Sequence, residues 1–269
     1  MATLRACYSL FRIRLAESIQ YRMAAITGSL VGIFWAIVEV VIYRVFYMYG
    51  HPPTDGLTLT QVISYAWLGQ VLFMLQPMSV DGDILTKITS GDVGVELCRP
   101  LDLYGHWFAK TAAGRLSGWI RGVITLVVGL LVPMGWGLGA PASWEGFCLF
   151  VVSVFCAFLL CASYGMLITA VRVGLTWGEG PTWMLLLLGG VLSGGYLPLQ
   201  LWPQALQGIL LLQPFAGYMD IPLRLYMGSM PLSQAGWALL LQVVWTAVFI
   251  VLGKAIMQRK IRNVIVQGG

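Results

Sequence analysis

Residues 81–110 read DGDILTKITSGDVGVELCRPLDLYGHWFAK, and this stretch decides the fold because it interrupts an otherwise apolar chain. It contains eight charged residues: Asp81, Asp83, Lys87, Asp92, Glu96, Arg99, Asp102 and Lys110. One unpaired charge at the centre of a bilayer costs roughly 3 kcal/mol or more. The sequence therefore predicts that residues 81–110 lie outside the hydrocarbon and form a polar, helical connection between two membrane-length segments.

The composition is that of an integral membrane protein. Of the 269 residues, 58% are hydrophobic and 10% are charged, whereas soluble domains have roughly 25% charged residues. At about 20 residues per transmembrane helix, the chain has room for about six spans and short connections. This leaves no space for a soluble catalytic domain, so we expect a single transmembrane domain over residues 1–269.

The apolar segments predict an all-α protein with six transmembrane helices. These cover residues 23–46, 61–80, 117–138, 146–171, 182–201 and 235–257. Ahead of them, Leu4, Tyr8, Phe11, Leu15 and Ile19 recur at steps of three and four residues, which is typical of one apolar helix face. Residues 1–22 are therefore predicted to form an amphipathic helix in the headgroup plane.

The distribution of basic residues predicts that both termini are cytosolic. In that orientation 14 of the 16 Lys and Arg residues lie on the cytosolic side, and only Arg44 and Arg224 lie outside. Aromatic residues such as Tyr43, Tyr47 and Trp136 cluster near the predicted outer ends, as they do at membrane interfaces. Topology thus explains the net charge of +5, and no nucleic acid is needed as a partner.

Glycines spaced four residues apart predict close packing between helices. Gly28 and Gly32 form one GxxxG motif, and Gly114, Gly118 and Gly122 form two in tandem. Such spacing allows two helix backbones to approach, either within the chain or across a dimer. We favour packing within the chain, because glycine is common in membrane helices in general.

The fifth predicted span ends in a broken segment. The breaks occur at Gly194, Gly195, Pro198, Trp202, Pro203 and Pro214. The apolar run over residues 203–212 is too short to cross a bilayer. We therefore predict an outer re-entrant hairpin and loop over residues 198–233, either as the lid of a substrate path or as a cap on the bundle. Asp220 and Arg224, four residues apart, predict a local ion pair.

Two stretches resemble a known family, the membrane subunits of ABC-2 type transporters, and specifically the small six-span permeases without a fused ATPase. KITSGDVGVELCRPL at residues 87–101, followed by the run into the third span, is similar to a glycine and Leu-Leu-Arg-Pro-Leu pattern in that family. GYLP at residues 195–198, continuing to Pro214, is similar to its fifth-span exit motif. Cys98 departs from the family, which has an apolar residue such as leucine there.

The resemblance implies an ATP-driven exporter in the bacterial cytoplasmic membrane. A second permease subunit, identical or paralogous, would complete the translocation pathway, and a dimer of cytosolic ABC ATPase subunits would bind ATP and Mg. The residues expected to face that ATPase are Asp83, Lys87, Gly91, Asp92, Glu96, Arg99 and Pro100. The residues expected at the translocation gate are Gly194, Gly195, Tyr196, Pro198, Trp202, Pro203 and Pro214.

The chain itself lacks the motifs of an enzyme. It has no GxxxxGK[ST] phosphate loop, since Gly253-Lys254 lacks both the upstream glycine and the following hydroxyl residue. His51 and His106 are predicted on opposite sides of the membrane, so they cannot share a metal or a catalytic centre. We therefore expect no catalytic residues, no metal and no cofactor bound by this chain.

Glu39 is an ionisable residue within a predicted span and hence a candidate polar site. Pairing with Arg44, or with a donor on another helix, is as consistent with the sequence as contact with a substrate. An ATP-independent channel or secondary transporter is the alternative function, but it would require inverted repeats or a series of intramembrane ionisable residues. The substrate is expected to be apolar in part, such as a lipid, a lipid-linked glycan, a peptide or a hydrophobic drug.

Overall fold

The computed structural model describes residues 8–14, 16, 22–50, 56–97, 102–133, 135–173 and 179–261, which contain helices and no β-strand. The α-helices are α1 (Arg22–Tyr49), α2 (Leu59–Phe73), α3 (Gly82–Ser90), α4 (Val93–Leu97), α5 (Leu103–Leu131), α6 (Trp144–Arg172), α7 (Gly180–Leu192), α8 (Gln204–Leu212), α9 (Asp220–Met227) and α10 (Leu232–Ile261). The 3-10 helices Leu199–Leu201 and Pro214–Tyr218 flank α8. Residues 8–14 are helical, in agreement with their predicted periodicity.

Four of the described helices are long and apolar enough to cross a membrane. They are Ile26–Tyr49 within α1, together with α5, α6 and α10. At 1.5 Å per residue, the 29 residues of α6 extend about 43 Å, which exceeds a hydrocarbon thickness of about 30 Å. The other two predicted spans form shorter helices, because α2 has 15 residues and α7 has 13. The described chain is thus an all-helical, multi-pass membrane protein.

The second predicted span ends earlier than expected, at Phe73 instead of residue 80. Pro77 has no backbone N–H and cannot continue the helix. Arg115 of α5 binds the connection that follows α2. Its guanidinium donates hydrogen bonds to the backbone carbonyls of Gln76 (3.0 Å) and Ser79 (2.8 Å). A long-range contact therefore replaces the last turns of the predicted helix.

The third predicted span begins earlier than expected, at Leu103 instead of residue 117. Asp102 caps the helix, and its carboxylate accepts a hydrogen bond from the N–H of Gly105 at 3.1 Å. The charged residues that argued against a membrane span here, including Lys110, are paired with other parts of the chain. The fifth predicted span is shorter than expected, since α7 ends at Leu192 ahead of the glycine pair.

The short helix α2 lies at the centre of the bundle. All residues from Val62 to Leu72 are buried, and α2 packs against α1, α5 and α9. Two glycines of α5 allow this approach, because a Cβ on Gly118 would lie 2.8 Å from the carbonyl oxygen of Met74, and one on Gly122 would lie 3.3 Å from Val71. At these two positions the glycine spacing serves packing within the chain.

A buried glutamine joins α10 to the rest of the fold. Gln242, 1% exposed, donates to the carbonyl oxygens of Gly217 (2.7 Å) and Ser153 (3.2 Å), and its own carbonyl oxygen accepts from the Ser153 hydroxyl at 3.1 Å. Gln242 is ten residues from the start of α10, or about 15 Å along its axis. The 3-10 helix that contains Gly217 therefore lies about one third of the way along α10 from its N-terminal end.

Replacing Gln242 by leucine is expected to destabilise the fold by about 1–3 kcal/mol, because the carbonyl of Gly217 and the Ser153 hydroxyl lose their buried partner. The measurement is thermal unfolding of the purified chain in detergent. Gln234→Leu, the same change at an exposed position of α10, is the control and should change stability by less than about 0.5 kcal/mol. Equal effects of the two changes would contradict this role of Gln242.

Candidate functional site

The polar stretch folds into two short helices, α3 and α4, here called the helix pair. Asp81 caps α3, since its carboxylate accepts hydrogen bonds from the N–H groups of Asp83 (3.1 Å) and Ile84 (3.2 Å). Gly91 ends α3 with a φ of +81°, a left-handed conformation that favours glycine. These caps allow two short helices to form where the sequence predicted one polar connection.

Apolar contacts seat the helix pair on the ends of three long helices. Ile84 is fully buried and Val93 is 3% exposed. Both belong to a cluster that includes Trp107 of α5, Met166 of α6 and Met257 of α10. The helix pair therefore packs into an apolar cluster to which all three helices contribute.

An ion-pair network fixes the helix pair to its neighbours. Lys110 of α5, 4% exposed, binds the carboxylate of Asp83 and lies 3.7 Å from that of Asp81. Asp83 also accepts a hydrogen bond from Arg14 at 2.8 Å, and the ammonium of Lys87 lies 3.6 Å away. A buried cation is tolerated only where carboxylates compensate it, so this network links α5, the helix pair and the N-terminal helical residues.

Glu96 closes the network from α4. It is 7% exposed, and its carboxylate accepts hydrogen bonds from the indole N–H of Trp107 at 2.7 Å and from the ammonium of Lys87. Burial on its own raises the pKa of Glu96, but the hydrogen bonds from Lys87 and Trp107 outweigh burial and lower that pKa below its ordinary value. Glu96 was expected to face a partner, and the structure instead places its carboxylate inside the chain.

The outward surface of the helix pair carries fewer charges than expected. Asp92 and Thr89 are exposed, and Val95 is 63% exposed. Asp83 is exposed and Lys87 is half-buried, and both side chains belong to the ion-pair network. Two residues expected at this surface, Arg99 and Pro100, lie outside the described residues.

Glu39 of α1 is bound by a neighbouring helix. The side-chain amide of Gln70 of α2 donates to its carboxylate at 2.8 Å. Arg44, the other predicted partner, instead donates to the carbonyl of Gly135 at 2.6 Å and lies over the ring of Trp136. A donor on another helix, one of the two predicted pairings, is therefore the observed one.

The broken segment after α7 lies deep in the bundle. Gly194 has a φ of +88°, and its carbonyl accepts a hydrogen bond from the buried hydroxyl of Tyr65 at 3.0 Å. The side-chain amide of Gln76 donates to the hydroxyl of Ser193 at 2.9 Å. Both donors come from α2 or the connection that follows it, so the central helix holds the first break in place.

The remaining residues predicted at this segment are distributed along it. Tyr196 is 65% exposed, and its ring meets that of Phe73 edge to face. The N–H of Gly195 donates to Ser193 at 3.2 Å. Pro198 and Pro203 stand immediately before the first 3-10 helix and α8. Pro214 begins the second 3-10 helix. Each predicted break thus coincides with the boundary of an element.

A polar cleft of about 750 Å³ opens at the end of the bundle where α2 begins, opposite the helix pair. Gln61, Trp202, Gln204 and Arg224 are among its lining residues, and we refer to it as the Arg224 cleft. The predicted ion pair is confirmed behind it, since the guanidinium Nε of Arg224 lies 2.5 Å from the carboxylate of Asp220. Asp220 is fully buried.

Several polar residues of these sites were missed in the sequence. Trp107 and Lys110 lie at the end of the predicted polar stretch at a spacing of three, so one helix face carries both, but neither was among the residues predicted at a site. Gln76 could have been recognised in the sequence, because a glutamine at the end of an apolar run, immediately before Pro77, indicates a buried polar contact. Tyr65 gave no such signal, because a tyrosine in an apolar helix is typical of packing.

The chain matches one known family over most of its length. The sequence model of a family described as "ABC-2 family transporter protein" matches residues 33–268. A comparison with curated proteins finds no match. Among the described residues there is no group of three or more His, Cys, Asp or Glu side chains that could hold a metal ion.

Glu96→Gln is expected to lower stability by about 1 kcal/mol at pH 7, because the neutral amide binds Lys87 and Trp107 more weakly. A lowered pKa stabilises the fold above the unfolded value of about 4.3, and this contribution is lost as the pH falls through the folded pKa. Unfolding curves between pH 3 and 7 should therefore converge for the variant and the original chain at the acid end. Glu145→Gln, at an exposed carboxylate, is the control, and a constant difference at all pH values would contradict the assignment.

Gly194→Ala is expected to destabilise the chain by about 2 kcal/mol or more, because alanine is strained at positive φ and its Cβ would lie 2.4 Å from the hydroxyl of Tyr65. Gly208→Ala is the matched control, since a Cβ at this position of α8 meets nothing within 4 Å. This control should raise stability by up to about 1 kcal/mol. Thermal unfolding in detergent measures the stability of both variants. Unchanged stability of Gly194→Ala would contradict the requirement for glycine at position 194.

Proposed function

This chain belongs to the ABC-2 family of transporter proteins, and we propose that it is the membrane-spanning permease subunit of an ATP-driven exporter. A separate cytosolic ABC ATPase, which binds ATP and Mg, drives it. A second permease subunit, the same chain or a paralogue, completes the translocation pathway. The chain itself contributes no catalytic site and is found in a bacterial cytoplasmic membrane.

The observation that carries this proposal is the seating of the helix pair on α5, α6 and α10. A transporter driven from outside needs a surface that receives force and a rigid connection to its spans. Val95 and Asp92 offer the surface. Lys110 supplies the connection to α5 through its ion pair with Asp83, and Glu96 supplies it through the hydrogen bond from Trp107. Closure of the ATPase dimer on ATP would press on the helix pair and shift the spans between inward-facing and outward-facing arrangements.

The predicted coupling residues divide into two groups, those that contact the ATPase and those that support the contact surface. Asp92 and Gly91, with Arg99 and Pro100 beyond them, are proposed to contact the ATPase. Asp83, Lys87 and Glu96 are proposed to hold the shape of the contact surface. This division follows from burial, because a carboxylate already bound by Lys87 and Trp107 has little capacity left for a partner.

Six membrane crossings with both termini cytosolic remain the proposed topology. The short helix α2 is surrounded by protein, so its length need not match the hydrocarbon thickness. The segment from Pro198 onward follows α7 and brings Gly217 beside Gln242, about one third of the way along α10. We propose that this segment is a re-entrant gate entered from the outer side, because irregular backbone at membrane depth occurs where protein or a water-filled cavity surrounds it.

Reversing charge on the outward surface is the direct test of the proposed coupling. The double change Asp92→Lys and Val95→Asp should reduce co-purification with the cognate ABC ATPase by at least about tenfold, since both residues lie on the proposed contact and neither joins the ion network. Association should be measured in detergent with ATPase activity of the complex as a second readout.

Glu145→Lys, a charge reversal at an exposed position of α6, is the matched control and should leave association unchanged. Insertion of each variant in the membrane must match that of the original chain. If the double variant co-purifies with the ATPase and supports the same activity as the original chain, the helix pair is not the coupling surface.

A further inference from the structure

The charge on the described lining of the Arg224 cleft is positive. Arg224 is the only charged residue among the described residues that line the cleft, and no carboxylate faces it there. Asp220 binds the Nε edge of the same guanidinium from within the protein and is fully buried. Among these described lining residues, an anion in the cleft would therefore meet the Arg224 cation without a competing carboxylate.

Two buried donors at the cleft have no acceptor. Arg224 is 8% exposed, and its Nη2 atom lacks a hydrogen-bond partner, as does the indole N–H of Trp202. Buried donors without partners are costly and uncommon in folded proteins. Their presence together, on two residues that line one cavity, points to acceptor oxygens supplied from outside the chain.

The amide side chains around the cleft hold its walls in place. Gln207 donates to the backbone carbonyls of Gln200 (3.1 Å) and Trp202 (2.9 Å), and Gln200 donates to the hydroxyl of Ser229 at 3.0 Å. Gln61 donates to the carbonyl of Met227 at 3.0 Å. These bonds connect α2, α8 and the end of α9, so the walls need little reordering when a ligand binds.

An apolar surface lies beside this polar cleft. α8 begins at the cleft with Gln204 and Gln207, while Leu206, Ile209 and Leu212 of the same helix are exposed. A ligand with an anionic oxygen group and an apolar chain would satisfy both surfaces at once. A small inorganic anion would use only the cleft.

We propose that the Arg224 cleft binds the oxyanion, phosphate or carboxylate, of an amphipathic compound, and that such acidic amphiphiles are the substrate class of this exporter. The substrate assignment rests on the proposed export function, whereas binding at the cleft does not. Arg224 and Trp202 donate to the oxyanion, and the exposed leucine and isoleucine side chains of α8 lie along its apolar part.

Binding to the purified full chain in an uncharged detergent tests the proposal. The probes are a phosphatidic acid, a phosphatidylcholine with the same acyl chains, and inorganic phosphate, with bound molecules counted by native mass spectrometry. The phosphatidic acid should bind at least about tenfold more tightly than either of the others, because only it combines an exposed oxyanion with acyl chains. Equal binding of the two lipids overturns the anion site, and inorganic phosphate binding as tightly as the lipid overturns the amphiphile assignment.

Variants locate the binding. Gln204→Glu adds a negative charge at an exposed position of the cleft. It should weaken the binding of phosphatidic acid about threefold to tenfold at low salt. Gln234→Glu, the same change at an exposed residue outside the cleft, should have no effect. Unchanged binding by Gln204→Glu, or equal weakening by both variants, contradicts the location.

The double variant Asp220→Asn with Arg224→Gln removes the cation without leaving a buried carboxylate unpaired. It should bind phosphatidic acid no better than phosphatidylcholine, and retention of the original preference would overturn the role of Arg224. These measurements need no ATPase, so their failure is distinguishable from failure of the coupling test at Asp92 and Val95.

Discussion

The guanidinium of Arg115 holds the point where α2 ends and the helix pair begins. The backbone carbonyls of Gln76 and Ser79, in the connection after α2, are not bonded within a helix and accept hydrogen bonds from this guanidinium. Arg115 supplies both hydrogen bonds from α5. The position of every later element depends on this turn, because it directs the chain out of the buried centre and toward the polar surface.

Gln76 connects the two regions that the proposed function needs. Its backbone carbonyl accepts from Arg115, beside the helix pair, and its side-chain amide donates to Ser193 at the first break after α7. Gln76 thus contacts both Arg115 of α5, the helix that binds the helix pair, and Ser193 at the start of the proposed gate. A shift of the helix pair would reach the break through hydrogen bonds and packed side chains rather than through a flexible loop.

The residues in and around the helix pair fall into two groups, those that are paired inside the protein and those that are exposed on its surface. Lys110 and Glu96 are nearly inaccessible, and each is compensated by more than one polar partner. Removing one member of such a pair leaves an uncompensated charge, so these residues act through the shape of the site. Asp92 and Val95 remain free of that role and lie on the outside.

The sequence by itself determined the membrane class, the polar interruption and the breaks at Gly194, Pro198 and Pro214. These follow from local chemistry, because a charge is costly in hydrocarbon, proline has no backbone N–H to donate, and glycine adopts the positive φ that other residues avoid. Only the tertiary structure decided that Glu96 lies inside, that Arg115 holds the connection after α2, and that Tyr65 and Gln76 hold the break. Those outcomes depend on partners such as Lys87, Arg115 and Ser193 on other segments, and the packing of helices, not their periodicity, brings such residues together.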